Sequence, residues 1–288
     1  MPVHAKESLS PQEVNEVTEL RRACEQEGLK IPLAEEQLGA GRGRNDHFLF
    51  YRYGALVGYL GLQYFCPEEV EVIGMVHPDF RRRGVFSALL EAARKETTER
   101  GFRRMLLTVE RRSEGGQALA RRLSERLEHT EHLLVLGTPR PRRPAGSLEV
   151  AELEPDAVGE VEAVERESYG DFVEKPWARR LVGRVDGRAV GKIDVDGGAE
   201  ACLSGFVVLP QERRKGYGRQ LLQGAVDLLL SEGIERVVIE VETTNANALA
   251  LYESVGFVVA TSYDYYEIAL KPGPGVPRRR RAGPEPPS

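Results

Sequence analysis

Apolar and polar positions along this chain recur with two periods, and the places where one period gives way to the other mark its elements. Phe206-Val207-Val208-Leu209 is a short continuous apolar run, the end of a buried strand that begins near Glu200. Behind it Leu221, Leu222, Ala225, Leu228 and Leu229 fall at helical spacing, which predicts an amphipathic helix. Arg236–Glu242 returns to period two, with Val237, Ile239 and Val241 on one face and Glu240 and Glu242 on the other. Phe257–Leu270 alternates as a last strand. Upstream, Leu148–Leu153 reads as a strand and Pro155–Glu167 as a helix. Arg180–Val185 and Arg188–Asp196 form a hairpin about Asp186-Gly187, a strong turn pair. The earlier part of the chain gives a polar helix over Pro11–Glu27, strands over His47–Tyr53 and Ala55–Phe65 joined at Gly54, and a third strand over Val70–Val76. A helix over Val85–Glu99 and a strand over Arg104–Glu110 follow.

The same unit occurs twice. Residues 78–110 align with 210–242 without a gap at an offset of 132, and Pro78, Arg81, Arg82, Gly84, Leu89, Leu90, Ala93, Gly101, Arg104, Val109 and Glu110 each meet their own residue type there. Similarity this dense predicts two tandem copies of one domain. The fold class is α/β with a mixed (α+β) sheet: each copy is expected to be a twisted mixed β-sheet flanked by helices. The expected boundaries are residues 1–138 for the first copy, a Pro- and Arg-rich linker at 139–147, 148–271 for the second copy, and a tail at 272–288.

Composition narrows the class of protein. With 288 residues, 41% apolar and 30% charged, the chain suits a soluble two-domain protein. A net charge of −5 gives no global case for nucleic acid. The tail, with its six prolines and Arg278–Arg281, is expected to be disordered and solubilising rather than a nucleic-acid arm. Residues 1–20 lack the apolar centre of a signal peptide and no run of 18 apolar residues exists, so neither export nor a membrane span is expected. Three unclustered cysteines, Cys24, Cys66 and Cys202, fit reduced thiols in the cytoplasm and no metal site.

The candidate chemistry centres on Arg213, Arg214, Lys215, Gly216, Tyr217, Gly218 and Arg219. Strand, glycine-containing basic turn, helix is a layout that holds phosphate: the first helical turn points free N–H groups at an anion and the helix dipole favours its charge. The turn matches neither G-x-x-x-x-G-K-[ST] nor G-x-G-x-x-G. It does match R-x-x-G-x-G, at Arg213, Gly216 and Gly218, and further on N-x-x-A-x-x-L-Y-E-x-x-G-F is matched at Asn245, Ala248, Leu251, Tyr252, Glu253, Gly256 and Phe257. In these two motifs the chain resembles the GCN5-related N-acetyltransferases (GNAT). The resemblance is strong over residues 148–270 and partial in the first copy, so a tandem GNAT protein is expected.

The resemblance implies acetyl-CoA as cofactor and an amine, on a small molecule or a peptide, as acceptor. It places the pantetheine against the backbone of Phe206, Val207 and Val208, the pyrophosphate on the 213–219 turn, and Asn245 beside the cofactor. Asn245 is also a good N-cap. Tyr252 is the candidate general acid, since a phenol of pKa near ~10 is protonated at neutral pH. Its alternative is a core aromatic. Glu240 and Glu242 are the candidate bases, with ordinary exposed strand carboxylates as the alternative. Asp194, Asp196 and Glu200 are expected as surface turn residues. Tyr263, Tyr265 and Tyr266 line the acceptor side in the family or simply pack in the sheet, and Tyr169 and Trp177 are candidates for a lid. None of the five histidines lies in the second copy, so a histidine base would have to come from across a domain or subunit interface.

The copies differ at Gly218/Phe86, Asn245/Ser113 and Tyr252/Ala120, which assigns catalysis to the second copy. Phe86 either blocks the first copy's phosphate path or packs into its domain. Two further functions stay open: an acyl-CoA sensor without transferase activity, and a nucleic-acid-associated protein using the arginine tail. Two fused copies would already mimic a dimer, and oligomeric state is not readable.

Overall fold

A computed structural model of the chain describes residues 3–26, 28–33, 38–39, 43–66, 68–124, 126–139, 148–154, 159, 161–162, 164, 179–198 and 200–270. The helix expected at Pro155–Glu167 falls mostly outside these residues. Tyr169, Trp177, most of the 139–147 linker and the tail with Arg278–Arg281 lie wholly outside them.

The chain forms two compact units that do not follow the two sequence copies. One is built from residues up to Thr108, from Ala118–Arg126 and from Tyr266 onward; the other from Val109–Gln117 and Leu127–Tyr265.

In the first unit, strands β1 (His4–Lys6), β2 (His47–Arg52), β3 (Ala55–Cys66), β4 (Glu69–Val76) and β5 (Arg104–Glu110) lie in that order. All pairs are antiparallel except β4 with β5, which is parallel over Glu69–Val72 and Arg104–Leu107. Helix α1 (Pro11–Glu25) opens with a capping box between Ser10 and Glu13 and buries Val17, Leu20 and Cys24 against Leu49, Tyr59 and Met75. Helix α2 (Val85–Glu99) covers the opposite face, where its Val85 and Leu89 reach Gly58.

The second unit has the order β12-β6-β11-β10-β9-β8-β7. Its strands are β6 (Leu127–Leu136), β7 (Glu149–Glu152), β8 (Arg179–Val185), β9 (Arg188–Asp196), β10 (Glu200–Val208), β11 (Arg236–Glu242) and β12 (Phe257–Ala269). The β8–β9 turn has positive φ at both Asp186 (49°) and Gly187 (76°), the geometry that matches the twist of the flanking strands. β10 and β11 run parallel, and β6, a strand of the first sequence copy, pairs antiparallel on the far side of β11. Helix α4 (Tyr217–Ser231) buries Leu221, Leu222, Ala225 and Leu229 on one face of this sheet. Val237, Ile239 and Val241 face it, and Tyr252 and Val255 of α5 (Ala246–Val255) join the same core. Helix α3 (Glu114–Leu123) and strand β6 have no counterpart among the elements expected from sequence. Among the described residues no helix is long and apolar enough to cross a membrane.

Candidate active site

The turn between β10 and α4 is held by its own side chains. Pro210–Glu212 makes a short 3-10 turn, after which Arg213 donates from Nε to the Val208 carbonyl at 3.0 Å. Arg214 has φ 62°, and Gly216 has φ 85° as the residue that caps α4. A side chain at Gly216 would be strained by this φ, and the space beyond its Cα is open, with only Gln220 Nε2 at 3.8 Å from an added Cβ. Glu212 is buried and accepts from Lys215 Nζ at 2.9 Å and Arg188 Nη2 at 2.5 Å. The Lys215 ammonium first, and then the Arg188 guanidinium, hold its carboxyl below the usual range. Arg219 donates to the Ser254 carbonyl at 2.8 Å, which ties α4 to the end of α5. Arg213, Lys215 and Arg219 therefore shape the turn. What the turn offers an anion directly is the amide edge of the first α4 residues, Gly216, Tyr217, Gly218 and Arg219, with the exposed Arg214 beside it.

Just before this turn the sheet opens. β10 pairs with β11 from Glu200↔Arg236 to Leu203↔Ile239 and then follows β9 alone, through Val207↔Lys192 and Val208↔Gly191. The register on β9 shifts between Ser204 and Val207, where Gly205 has φ 55°, so this is a bulge. The extra residue turns Phe206 to the α4 face, with Leu203 three positions back in the same core. Phe206 meets Tyr252 edge-on with ring centroids 6.1 Å apart, and its Cζ lies 3.5 Å from where a Cβ at Gly218 would stand. Val207 points the other way, into a cluster with Val161, Val164, Val182, Ala189 and Leu209. Tyr252 is 6% exposed and also contacts Phe257 at 6.3 Å. It is thus both a core aromatic and a neighbour of the strand that lines the opening.

Glu240 and Glu242 are exposed on the face of β11 opposite the α4 core. Glu242 accepts from Thr244 Oγ1 at 2.7 Å. Directly across the ladder from Glu242 stands Glu131 of β6. Glu131 accepts from Tyr265 Oη at 3.2 Å and lies 3.5 Å from His129 Nε2, and the His129 ring stacks on Tyr265 at 4.3 Å. A strand of the first copy thus brings His129 and His132 into the unit that holds β11; His132 Nδ1 meets Ser262 Oγ at 2.8 Å. Asn245 is the N-cap of α5, accepting from the Ala248 N–H at 3.1 Å. Tyr263, Tyr265 and Tyr266 are all buried.

Asp194 corrects an expectation. It is not a surface turn residue: it is 2% exposed in the middle of β9 and paired with Lys192 and Arg180. Lys192 and Asp194 alternate with Ile193 and Val195, which marks a strand but not that its charged face is buried.

In the first copy the corresponding turn has nearly the same backbone. Arg82 has φ 63°, Gly84 caps α2 at φ 79°, and Arg81 Nε donates to the Val76 carbonyl at 3.2 Å. Phe86 packs on Gly74, its Cε2 2.6 Å from where a Cβ there would stand. Since Gly74 and Phe86 align with Phe206 and Gly218, the two copies fill the same space from opposite sides.

The model of the acetyltransferase (GNAT) family matches residues 14–124 and again 147–257. A mycothiol acetyltransferase of Thermomonospora curvata is 28% identical, covering 87% of this chain and 92% of that protein. A ribosomal protein bS18 alanine N-acetyltransferase of Salmonella typhimurium is 44% identical over 71 residues, which are 24% of this chain and 48% of the relative. This chain therefore spans about half the length of relatives of that kind. Among solved structures, a GCN5-related N-acetyltransferase from Sphaerobacter thermophilus gives a TM-score of 0.76 at 17% identity, covering 94% of this chain and 96% of that one. A tandem GNAT protein from the clavulanic acid biosynthesis pathway gives 0.71 at 18%, covering 94% and 99%. At such identities these two show the fold.

Proposed function

The chain belongs to the acetyltransferase (GNAT) family, and from that premise we propose that it transfers an acetyl group from acetyl-CoA to an amine at the β10–β11 opening of the second copy. The observation that carries this reading is the Gly205 bulge, which parts β10 from β11 immediately before the glycine-capped start of α4. The residues present fit the donor. The α4 amide edge and Arg214 take the pyrophosphate, the open space at Gly216 lets it approach, and the backbone of Phe206, Val207 and Val208 lines the opening for pantetheine. Asn245 stands at the start of α5 with its side chain already engaged as a cap.

When bound, acetyl-CoA supplies the acetyl group as an activated thioester. The β10 amides polarise its carbonyl. Glu240 and Glu242 draw the acceptor in as a cation and take its proton, directly or through water, freeing the nitrogen lone pair to form the amide bond. The ammonium acceptor sheds two protons in becoming an amide: the first passes through Glu240 or Glu242 to water, and the second, released from nitrogen as the C–S bond breaks, balances the one that Tyr252 gives to the departing thiolate. We place the protein in a reducing, cytoplasmic setting, in keeping with its three cysteines, unclustered and odd in number.

The test is acetyl-CoA calorimetry on the full chain beside a thiol-release assay. Its acceptor panel includes alanine-terminated peptides and small amines, the two classes that the relatives' names suggest. Binding together with acceptor-dependent thiol release is expected. Binding without release from any acceptor would replace the enzyme by a sensor.

A further inference from the structure

The strand that forms the bulge rests on a buried charge cluster. Lys192 Nζ is 2.7 Å from Asp194 Oδ2, with side chains 0% and 3% exposed, and Arg180 Nε lies 3.5 Å from Asp194 Oδ1. Both β9 residues flank the bulge, Asp194 opposite Ser204 and Lys192 opposite Val207. A Cβ at Gly205 would collide with Asp194 Oδ2 and stand 3.0 Å from Lys192 Nζ, so the carboxylate fills the space the glycine leaves. The next carboxylate on that face, Asp196, accepts from Ser204 Oγ at 3.3 Å.

The first copy serves as an internal control. There β3 and β4 keep one register from Gly58↔Val76 to Gln63↔Glu71, with no bulge. Tyr59 stands opposite Met75 where Lys192 stands opposite Val207. Leu62 stands opposite Val72 where Asp194 stands opposite Ser204. Bulge and charged pair occur together at these positions of the second copy, and neither occurs at the corresponding positions of the first. A buried ion pair is a poor source of stability, because desolvation offsets most of its attraction and apolar residues of like volume do as well or better. What it constrains is geometry, since separating the two charges inside the protein gives up their attraction while the desolvation penalty remains.

We propose that Lys192 and Asp194, backed by Arg180, are positioning residues for acetyl transfer: they hold the Gly205 bulge and so keep the Phe206–Val208 backbone aimed into the opening. This rests on the acetyl-transfer reading above. A slip of β10 into regular register would turn Phe206 away from Tyr252 and close the amide edge against the neighbouring strand. Misplacement of reacting groups by about 1 Å costs turnover on the order of 100-fold. The pyrophosphate turn beyond Leu209 has its own supports, so part of the donor affinity survives a slip that removes the pantetheine edge and the aim of the thioester.

The test compares the full-length protein with the double variant Lys192→Met with Asp194→Leu. It uses thermal unfolding, acetyl-CoA calorimetry and steady-state kinetics on any acceptor that the wild type uses. The variant is expected to fold, to bind acetyl-CoA more weakly than wild type through the pyrophosphate turn, and to lose kcat at saturating acetyl-CoA by roughly 100-fold. Wild-type kcat in the folded variant would overturn the proposal. If the double variant does not fold, Gly205→Ala keeps every charge but strains the bulge at φ 55° and displaces the Asp194 carboxylate. It should show the same loss of kcat, and unchanged kcat would be equally fatal. A wild-type protein that transfers to no acceptor removes the acetyl-transfer reading itself, and the proposal with it.

Discussion

The exchange of ring and glycine between the copies can be tested as a double-mutant cycle. In the second copy Phe206 supplies the ring and Gly218 the space; in the first, Phe86 supplies the ring and Gly74 the space. A Cβ at Gly218 would lie 3.5 Å from both Phe206 Cζ and Leu251 Cδ2, ordinary contact, so alanine is tolerated there. The six ring carbons of Gly218→Phe would enter the volume that Phe206 holds. Such overpacking costs about 1–3 kcal/mol. Phe206→Gly alone loses a partly buried ring and adds a flexible residue to a strand, for a loss below the ~3–5 kcal/mol of a fully buried phenylalanine. Together the two changes rebuild the packing of the first copy, so the pair should be less destabilised than the sum of the singles by ~1–3 kcal/mol. Urea unfolding of the four proteins measures this coupling. Additivity within ~0.5 kcal/mol would mean that the two rings do not compete for one space. Calorimetry on Gly218→Phe should show weakened acetyl-CoA binding; wild-type affinity would show that the glycine is not needed for close approach of the donor.

Tyr252→Phe keeps the ring contacts with Phe206 and Phe257 and is expected to lower kcat with little change in acetyl-CoA affinity; unchanged turnover removes Tyr252 as the acid. Asn245→Ala removes the cap on Ala248 N–H and should cost about 1 kcal/mol in denaturant unfolding. Glu212 has its folded pKa lowered by Lys215 and Arg188, so its contribution is present above the ordinary glutamate value and fades as pH falls through the folded one. The Glu212→Gln protein should therefore lose less stability on acidification below about pH 4.3 than wild type, and equal acid sensitivity would count against the Glu212 pairing. A chain beginning at Leu148 lacks β6 and is expected to be aggregation-prone in light scattering; a stable, monodisperse fragment would contradict the role given to that strand.

What was legible in the sequence was what local signals specify. The Asp186-Gly187 hairpin, helix Val85–Glu99 and strands Arg104–Glu110, Arg188–Asp196 and Arg236–Glu242 have the bounds that turn chemistry and period predict. The bulge was not legible: Ser204-Gly205-Phe206 sits inside Glu200–Leu209, which reads as one unbroken strand, and the partner register on β9 reveals the extra residue. Nor were Lys192 and Asp194. Polar residues alternating on a strand read as a solvent face unless the charges opposite them are known, and Arg180 lies on another strand. The choice left open for Phe86 needed Gly74, a residue whose relevance appears only when the two copies are compared in space.

Strand β6 escaped for a related reason, and it changes what the tandem arrangement means. Its residues His129, Glu131 and His132 give no clear apolar face, and its ladder partners lie more than a hundred positions later, on β11, from Val238↔Val135 to Glu242↔Glu131. Without that ladder the outer edge of β11 would present unpaired N–H and C=O groups beside Val238 and Val241. With it, the strand that carries the candidate bases Glu240 and Glu242 is held by β10 over Arg236–Ile239 and by β6 over Val238–Glu242, so it stays paired where the sheet opens. The first copy thus meets a requirement of the second that has nothing to do with its own phosphate turn. It also sets Glu131, with His129 3.5 Å from it, across the ladder from Glu242, so this carboxylate face is assembled from both halves of the sequence. A histidine base was expected only from across an interface, and β6 brings His129 to Glu131, the residue that pairs with Glu242.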